Sequence, residues 1–357
     1  MRFICESAAA LAVVTAVALG ACRRIEEPSA DRRTPAHSAQ GEDPSRAAMN
    51  DAAARPALSE PTLLAPTQLL SLPSSAYQAS LFADDDAIEL LTASAAYRVL
   101  PGKEPVLRAV DLGFAAAVTR RSYVYWSQGA IWSAPRSAAN TAAATKLAAL
   151  AEQPQRFVAD LARDGLAFLT HAGGDGYAIH TLEKQRVKTL YTSPGSIDAL
   201  TMLGDALYFV ERPENSSFRI GRVQLSGGEA TFTASKGGRW PALLRGSKDL
   251  VYYDGARRTV LALSLDLQQE RALANDFICS PLAVAANVYC STMEGIFELS
   301  ETGKPRQVVG ASRNLITNLA ANSQQLAFVT DVGGQGQDRL ALNVVALGKP
   351  QAAETPR

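Results

Sequence analysis

Apolar and polar positions alternate along this chain in short runs, and the runs recur. The stretch "LGDALYFVERPENSSFRIGRVQLSGG", Leu203 to Gly228, holds one example: an apolar run "ALYFV", a polar loop, a second alternating run "FRIGRVQL", and then Ser-Gly-Gly. Period-two alternation bounded by Gly, Asn, Asp and Ser marks half-buried strands joined by turns. Apolar runs of the same type end at Leu90, Trp126, Phe168, Phe209, Tyr253, Cys290 and Phe328, with spacings of 36, 42, 41, 44, 37 and 38 residues. A period of about 40 residues is the length of one four-stranded propeller blade.

Each unit repeats the same grammar. Before the anchor comes a short apolar strand and a tight polar turn, as in "IDALTMLGD" and "RFVADLARDG". After it come a loop and an alternating strand, as in "GYAIHTL" and "TVLALSL", then a turn and a weaker strand such as "RVKTLYT", "EATFTAS" or "RQVVGA". Four short strands per unit predict an antiparallel meander. The Ala- and Leu-rich "TAAATKLAALAEQ" favours helix by propensity, but it occupies a slot that is strand in the other units and is assigned as strand. The last unit, from Asn318 to Leu347, offers three strands, and its tail "GKPQAAETPR" offers no fourth. Upstream of the first unit, "TQLLSLPSS", Thr67 to Ser75, resembles the fourth-strand slot "VKTLYTSPGS". The pattern therefore predicts an all-β fold: one β-propeller of seven four-stranded blades over 67–348, closed by an N-terminal strand that removes the exposed edges of an open array, and a C-terminal tail over 349–357.

The N-terminus follows a different pattern. Arg2 precedes "AAALAVVTAVAL", Ala8 to Leu19, an apolar segment of 12 residues. A membrane span needs roughly 20 residues, so this reads as the h-region of a signal peptide over 1–21. The following "LGAC", Leu19 to Cys22, closely resembles a bacterial lipobox. That resemblance implies a diacylglyceryl group on the Cys22 thiol, cleavage before Cys22 and N-acylation of the new terminus, a stable multi-chain anchor. Arg23, rather than Asp, follows the cysteine, which by the sorting pattern of Gram-negative lipoproteins implies the outer membrane. Residues 22–66 hold the lipidated cysteine and a tether rich in Pro, Ala, Ser and mixed charge, with too little apolar surface to offset its ordering entropy.

Tyr208-Phe209-Val210-Glu211, with Arg219-Ile220 and Leu225-Ser226-Gly227-Gly228 behind it, resembles a degenerate YWTD repeat of the low-density lipoprotein receptors, as does Val124-Tyr125-Trp126-Ser127 with Ile131 and Ala134. The resemblance implies a propeller with an extracytoplasmic interaction role. The motif Asp is replaced by Ser127, Glu211 or Gly255, and that family has six blades where seven repeats are counted here. Bacterial outer-membrane lipoproteins with propeller domains are the closer functional analogy.

Charge and chemistry narrow the function classes. Lys+Arg and Asp+Glu are both 35, so the formal net charge is zero and no global field draws the chain to nucleic acid or anionic lipid. Of three histidines, His37 lies in the tether. His171 and His180 flank "AGGDG", and a hairpin centred near Gly174 places His180 opposite Phe168 and His171 opposite Tyr177, on different sides of the sheet. No Gly-x-Ser-x-Gly, P-loop or His-Glu-x-x-His is present. "ADDDA", Ala83 to Ala87, lacks the Gly and distal Glu of an EF-hand loop and reads as a turn. "GGQGQD", Gly333 to Asp338, is read as a loop. No catalytic residue, metal ligand or cofactor site is assigned. Cys279 and Cys290 could bond in an oxidising compartment, yet a hairpin about Ala286-Asn287 places Cys290 opposite Ala283, so a disulfide would need the chain before Pro281 to curl back.

What remains is surface. In a propeller the second-to-third-strand loops share one face with the blade-to-blade connections. The connections carry Arg156, Arg239, Trp240 and Arg313, the candidate binding face for an acidic or glycan-like group, while the tight turns of the opposing face are expected to offer little area. The expected function is a membrane-anchored binding or scaffold lipoprotein of the cell envelope with a protein or glycan partner. The alternative is a propeller glycan hydrolase or lyase with two carboxylates converging in the channel at about 5–10 Å.

Overall fold

Short runs that bury both of their faces cannot stand alone, and here they stack into a ring. In the computed structural model, the described residues are 63–73, 79–110, 112, 116–137, 143–160, 165–174, 176–214, 217–237, 242–245, 248–300, 304–333 and 338–347. The signal segment, Cys22, the tether up to residue 62, Arg239 and Trp240 lie outside them. The described chain forms strands only, in seven separate antiparallel sheets. This is the seven-bladed propeller that the repeat predicts.

The blades follow chain order. Blade 1 spans 80–110, blade 2 spans 116–149, blade 3 spans 156–193, blade 4 spans 196–237, blade 5 spans 242–274 and blade 6 spans 282–309. Blade 7 combines Leu315–Ala321, Gln325–Asp331 and Asp338–Ala346 with the N-terminal strand Thr67–Pro73, whose Ser71 and Leu72 pair with Ala341 and Leu340. "TKLAA", Thr145–Ala149, is a strand.

Second strands are covered by neighbouring blades on both faces, which explains their unbroken apolar character. Every residue of Ile88–Leu91 and Leu250–Asp254 is buried, whereas the outer strand Glu270–Ala274 is mostly exposed. The described apolar core divides into seven clusters, and each cluster draws on two adjacent blades. The core therefore sits in the seams. Gly221 shows how close this packing is, since a Cβ there would collide with the Phe209 ring, whose edge meets Phe232 at 5.8 Å.

Charge also enters the seams, always with partners. Glu89 of blade 1 is fully buried. It accepts from Arg136 Nη2 at 2.6 Å and from Tyr123 Oη at 3.0 Å, both on blade 2. Glu211 of blade 4 is also fully buried and accepts from Tyr191 Oη at 2.6 Å, Ser193 Oγ at 2.5 Å and Arg219 Nε at 2.5 Å. Glu270 of blade 5 accepts from Tyr252 and from Lys236 of blade 4. At the closing seam, Asn322 Nδ2 donates to the Asp84 carbonyl at 3.1 Å and Gln325 Nε2 to the Val99 carbonyl at 2.9 Å.

Two local readings differ from expectation. The turn in blade 6 takes three residues, with Val284 opposite Val288, so Cys290 faces Leu282 rather than Ala283. The chain before Pro281 does turn back: Ser280 N–H donates to the Ser291 carbonyl, and Cys279 is disulfide-bonded to Cys290 with a Cα–Cα distance of 5.5 Å. The outer strand of blade 4 is broken into Thr231–Phe232 and Lys236–Gly237. Between the pieces Thr233 bonds both backbone groups of Ile220, through its N–H and its Oγ1, and bends the edge.

Deleting residues 67–75 should strongly lower the melting temperature and broaden the transition. It removes a row of ladder hydrogen bonds at about 1 kcal/mol each and the burial of Leu72 at roughly 2 kcal/mol. Deleting residues 24–56 should leave the melt unchanged, and equal melting temperatures for the two deletions would contradict closure. The pH dependence has a defined sign as well. Burial opposes ionisation of Glu211, but hydrogen bonds from Ser193, Tyr191 and Arg219 outweigh it and hold the carboxyl below its usual range. The same balance, with Lys236 and Tyr252, lowers Glu270. Stability from these groups is present above the usual carboxylate range and lost as pH falls through the lowered folded values. Melting temperature should thus fall on acidification, and Glu211→Gln should reduce the slope while lowering stability at neutral pH.

Candidate functional site

All turns of the meander point to one of two faces. The upper face carries the second-to-third-strand turns and the blade-to-blade connections, and the lower face carries the first-to-second and third-to-fourth turns.

On the upper face, Arg156 opens the inner strand of blade 3. Its Nη1 donates to the Asp198 carbonyl of blade 4 at 3.1 Å, and the Asp198 carboxylate is held by Ser196 Oγ at 3.1 Å and Arg212 Nε at 2.8 Å. Arg156 lines the axial channel, a cavity of about 570 Å³ between the inner strands, with Phe157, Leu200, Thr201, Asn318 and Leu319 among its walls. Arg313 is exposed in the connection to blade 7. Arg156 is tied to blade 4 and Arg313 lies beside blade 7, while Arg239 and Trp240 lie outside the described residues. Phe277 is half-buried and packs edge-on against Phe297 at 5.3 Å, which makes it a part of the blade 5–6 seam.

The histidines do not converge. His180 pairs opposite Phe168 and stacks on its ring at 5.2 Å, while His171 pairs opposite Tyr177 at 4.7 Å. Burial lowers the His180 pKa, and its two ring nitrogens already meet Thr170 Oγ1 at 2.9 Å and Thr189 Oγ1 at 3.1 Å. That side chain is a neutral, satisfied element of the sheet. "ADDDA" is a turn closed by Asp84 N–H on the Ala87 carbonyl, with Asp84 and Asp86 engaged by Arg136 and Arg98. Among the described residues no three His, Cys, Asp or Glu side chains are grouped to hold a metal ion.

The lower face departs from its expected flatness. A recess of about 700 Å³ opens there across blades 2, 3 and 4. Val124, Leu147, Leu166 and Leu182 form an apolar floor, and Thr119, Ser122, Ser226, Glu183 and Lys188 lie around it. Lys188 bridges the rim, donating to the Ser226 carbonyl at 2.7 Å and pairing with Glu183 at 3.3 Å. A smaller recess of about 100 Å³ lies between blades 5 and 6 beside Asp249 and Arg271. Pockets that hold ligands are mostly apolar with a few placed polar groups, and the larger recess has that make-up. Among the described residues, neither recess nor the channel is lined by two carboxylates.

Sequence reasoning missed this recess because its walls come from turns of three blades. It also missed three apolar side chains on the upper face: Ile278, Met293 and Leu315 are 60%, 94% and 71% exposed. A methionine inside the turn "TMEG" was the available signal.

No protein-family model matches the chain, and no curated protein matches it by sequence. Solved structures match it in shape. The WD40 β-propeller domain of Doa1 gives a TM-score of 0.54 at 8% identity, covering 78% of this chain and 96% of that one. The AfRom2 CNH domain gives 0.51 at 10% identity, covering 79% and 98%. The acylaminoacyl peptidase of Pyrococcus horikoshii gives 0.51 at 11% identity, covering 78% of this chain and 52% of that one. At such identities a shared shape carries the fold and no activity, and the fold is the seven-bladed β-propeller.

Proposed function

We propose that the protein is a lipid-anchored scaffold of the cell envelope that binds a partner protein on the lower face of its propeller. The observation that carries this reading is the lower-face recess of about 700 Å³, with its apolar floor and hydroxyl-bearing rim. Its size suits a partner's side-chain cluster, and its floor favours a protein over a glycan. The anchor rests on the sequence: "LGAC" behind an apolar segment, with Cys22 as the acylated residue. The tether from Arg23 to Pro61 gives the propeller room to meet its partner.

The hydrolase alternative is less supported. Two-carboxylate glycan chemistry needs an acid and a base or nucleophile about 5–10 Å apart. Among the described residues, the channel lining contains no Asp or Glu, and the large recess contains Glu183 as its one acid, paired with Lys188. The zero net charge makes long-range steering weak, so local shape and packing carry affinity.

A fatty-acid probe fed to cells should label the wild-type chain and not Cys22→Ala; equal labelling would remove the anchor from the account. A photocrosslinking amino acid in place of Ser226, on the recess rim, should capture an envelope protein that the same group in place of Val106, on the outer strand of blade 1, does not. Equal or absent capture at Ser226 would contradict lower-face binding.

A further inference from the structure

Large apolar side chains at full exposure are unfavourable unless something covers them. The three most exposed large apolar residues of the described chain, Met293, Leu315 and Ile278, share one face. Met293 sits in the second-to-third-strand turn of blade 6, Ile278 in the connection into blade 6, and Leu315 at the start of the inner strand of blade 7. All three project from the upper face, over adjacent blades.

The display is held in place. Cys279, next to Ile278, is bonded to Cys290, and Ser291 N–H donates to the Pro281 carbonyl at 3.0 Å. The connection bearing Ile278 is thereby fastened to the strand that leads into Met293. Arg257, Arg258 and Arg313 are exposed on the same face, against the exposed acids Asp276 and Glu294. Arginine forks match phosphate geometry.

The point where the tether joins the propeller selects the occupant. Leu64 N–H donates to the Val308 carbonyl on the outer strand of blade 6. A Cβ built on Gly310 would lie 3.5 Å from Leu63 Cδ1. Gly310 begins the connection that continues to Arg313 and Leu315, so the described chain begins at the upper face, beside the apolar tips. An acylated Cys22 would keep this attachment point, and the apolar tips beside it, within reach of a bilayer.

We propose that the upper face of blades 5–7 docks on a phospholipid surface. Ile278, Met293 and Leu315 enter the acyl boundary, and Arg258 and Arg313 reach headgroup phosphates, while Arg257 stays paired with Asp254 and Glu270. This rests on the anchored reading above for its geometry, and it leaves the lower-face recess pointing away from the membrane.

The test uses the full-length protein reconstituted into vesicles of phosphatidylethanolamine and phosphatidylglycerol that carry nitroxide-labelled acyl chains. An environment-sensitive fluorescent amino acid replaces Met293, or in a second preparation Leu107 on the outer strand of blade 1. The expected result is several-fold stronger nitroxide quenching at 293 than at 107. Ile278→Ser with Leu315→Ser should reduce quenching at 293 to the level at 107, with the thermal melt unchanged. Equal quenching at the two positions, or quenching at 293 that survives the double substitution, overturns the proposal. So does a protein crosslink from a photoreactive group at 293 without lipid quenching, which would assign the tips to a protein partner. Fatty-acid labelling of Cys22 is read separately: absent labelling with quenching at 293 removes the anchor and keeps the docking, and the reverse pattern removes the docking alone.

Discussion

The antiparallel pairing of Thr67–Pro73 with Asp338–Ala346 is the constraint on which the rest depends. A propeller core lies between blades, so every blade needs two neighbours. With the first and last blades apart, Ile88, Leu90 and Val99 on one side and Ala320, Val329 and Leu342 on the other would face water. The N-terminal strand commits both ends of the chain to blade 7. The seam amides of Asn322 and Gln325 then fix it against blade 1 across more than two hundred residues of sequence. Such contacts carry a high loop-closure entropy, and they persist because seven seams form together.

Closure also decides where function can sit. Inner strands and seams are filled by side chains, and the buried carboxylates Glu89 and Glu211 are satisfied within the ring. Removing one partner of such a pair costs about 3–5 kcal/mol, because a buried charge is left alone. These groups therefore serve the scaffold. Binding surface is left to the turns, and the two faces differ: apolar tips and arginines above, a broad apolar recess below.

The sequence carried the repeat, the closing strand and the histidine geometry because each depends on period-two alternation and turn placement. Phe168 does lie opposite His180, as a hairpin about Gly174 requires. Where turn length is free, the sequence misleads by one residue: three residues rather than two at Ala285–Asn287 shift Cys290 from Ala283 to Leu282. The broken outer strand of blade 4 depends on Thr233 competing for the backbone of Ile220, a side-chain choice that alternation does not encode. The Glu89 cluster joins residues from two blades through Tyr123 and Arg136, and no spacing rule reveals that convergence. The recess is hidden for the same reason, and the exposed Met293 was visible only as an apolar residue in a turn.

The central claim is a ring closed by its own N-terminal strand, and native-state hydrogen exchange tests it most directly. The amides of the Thr67–Pro73 and Asp338–Ala346 strands that bond across their shared ladder are compared with those of the Gly165–His171 strand inside blade 3. The account predicts equal protection, released only by global unfolding. Fast exchange along Thr67–Pro73, with slow exchange retained in blade 3, would show an open ring and contradict it.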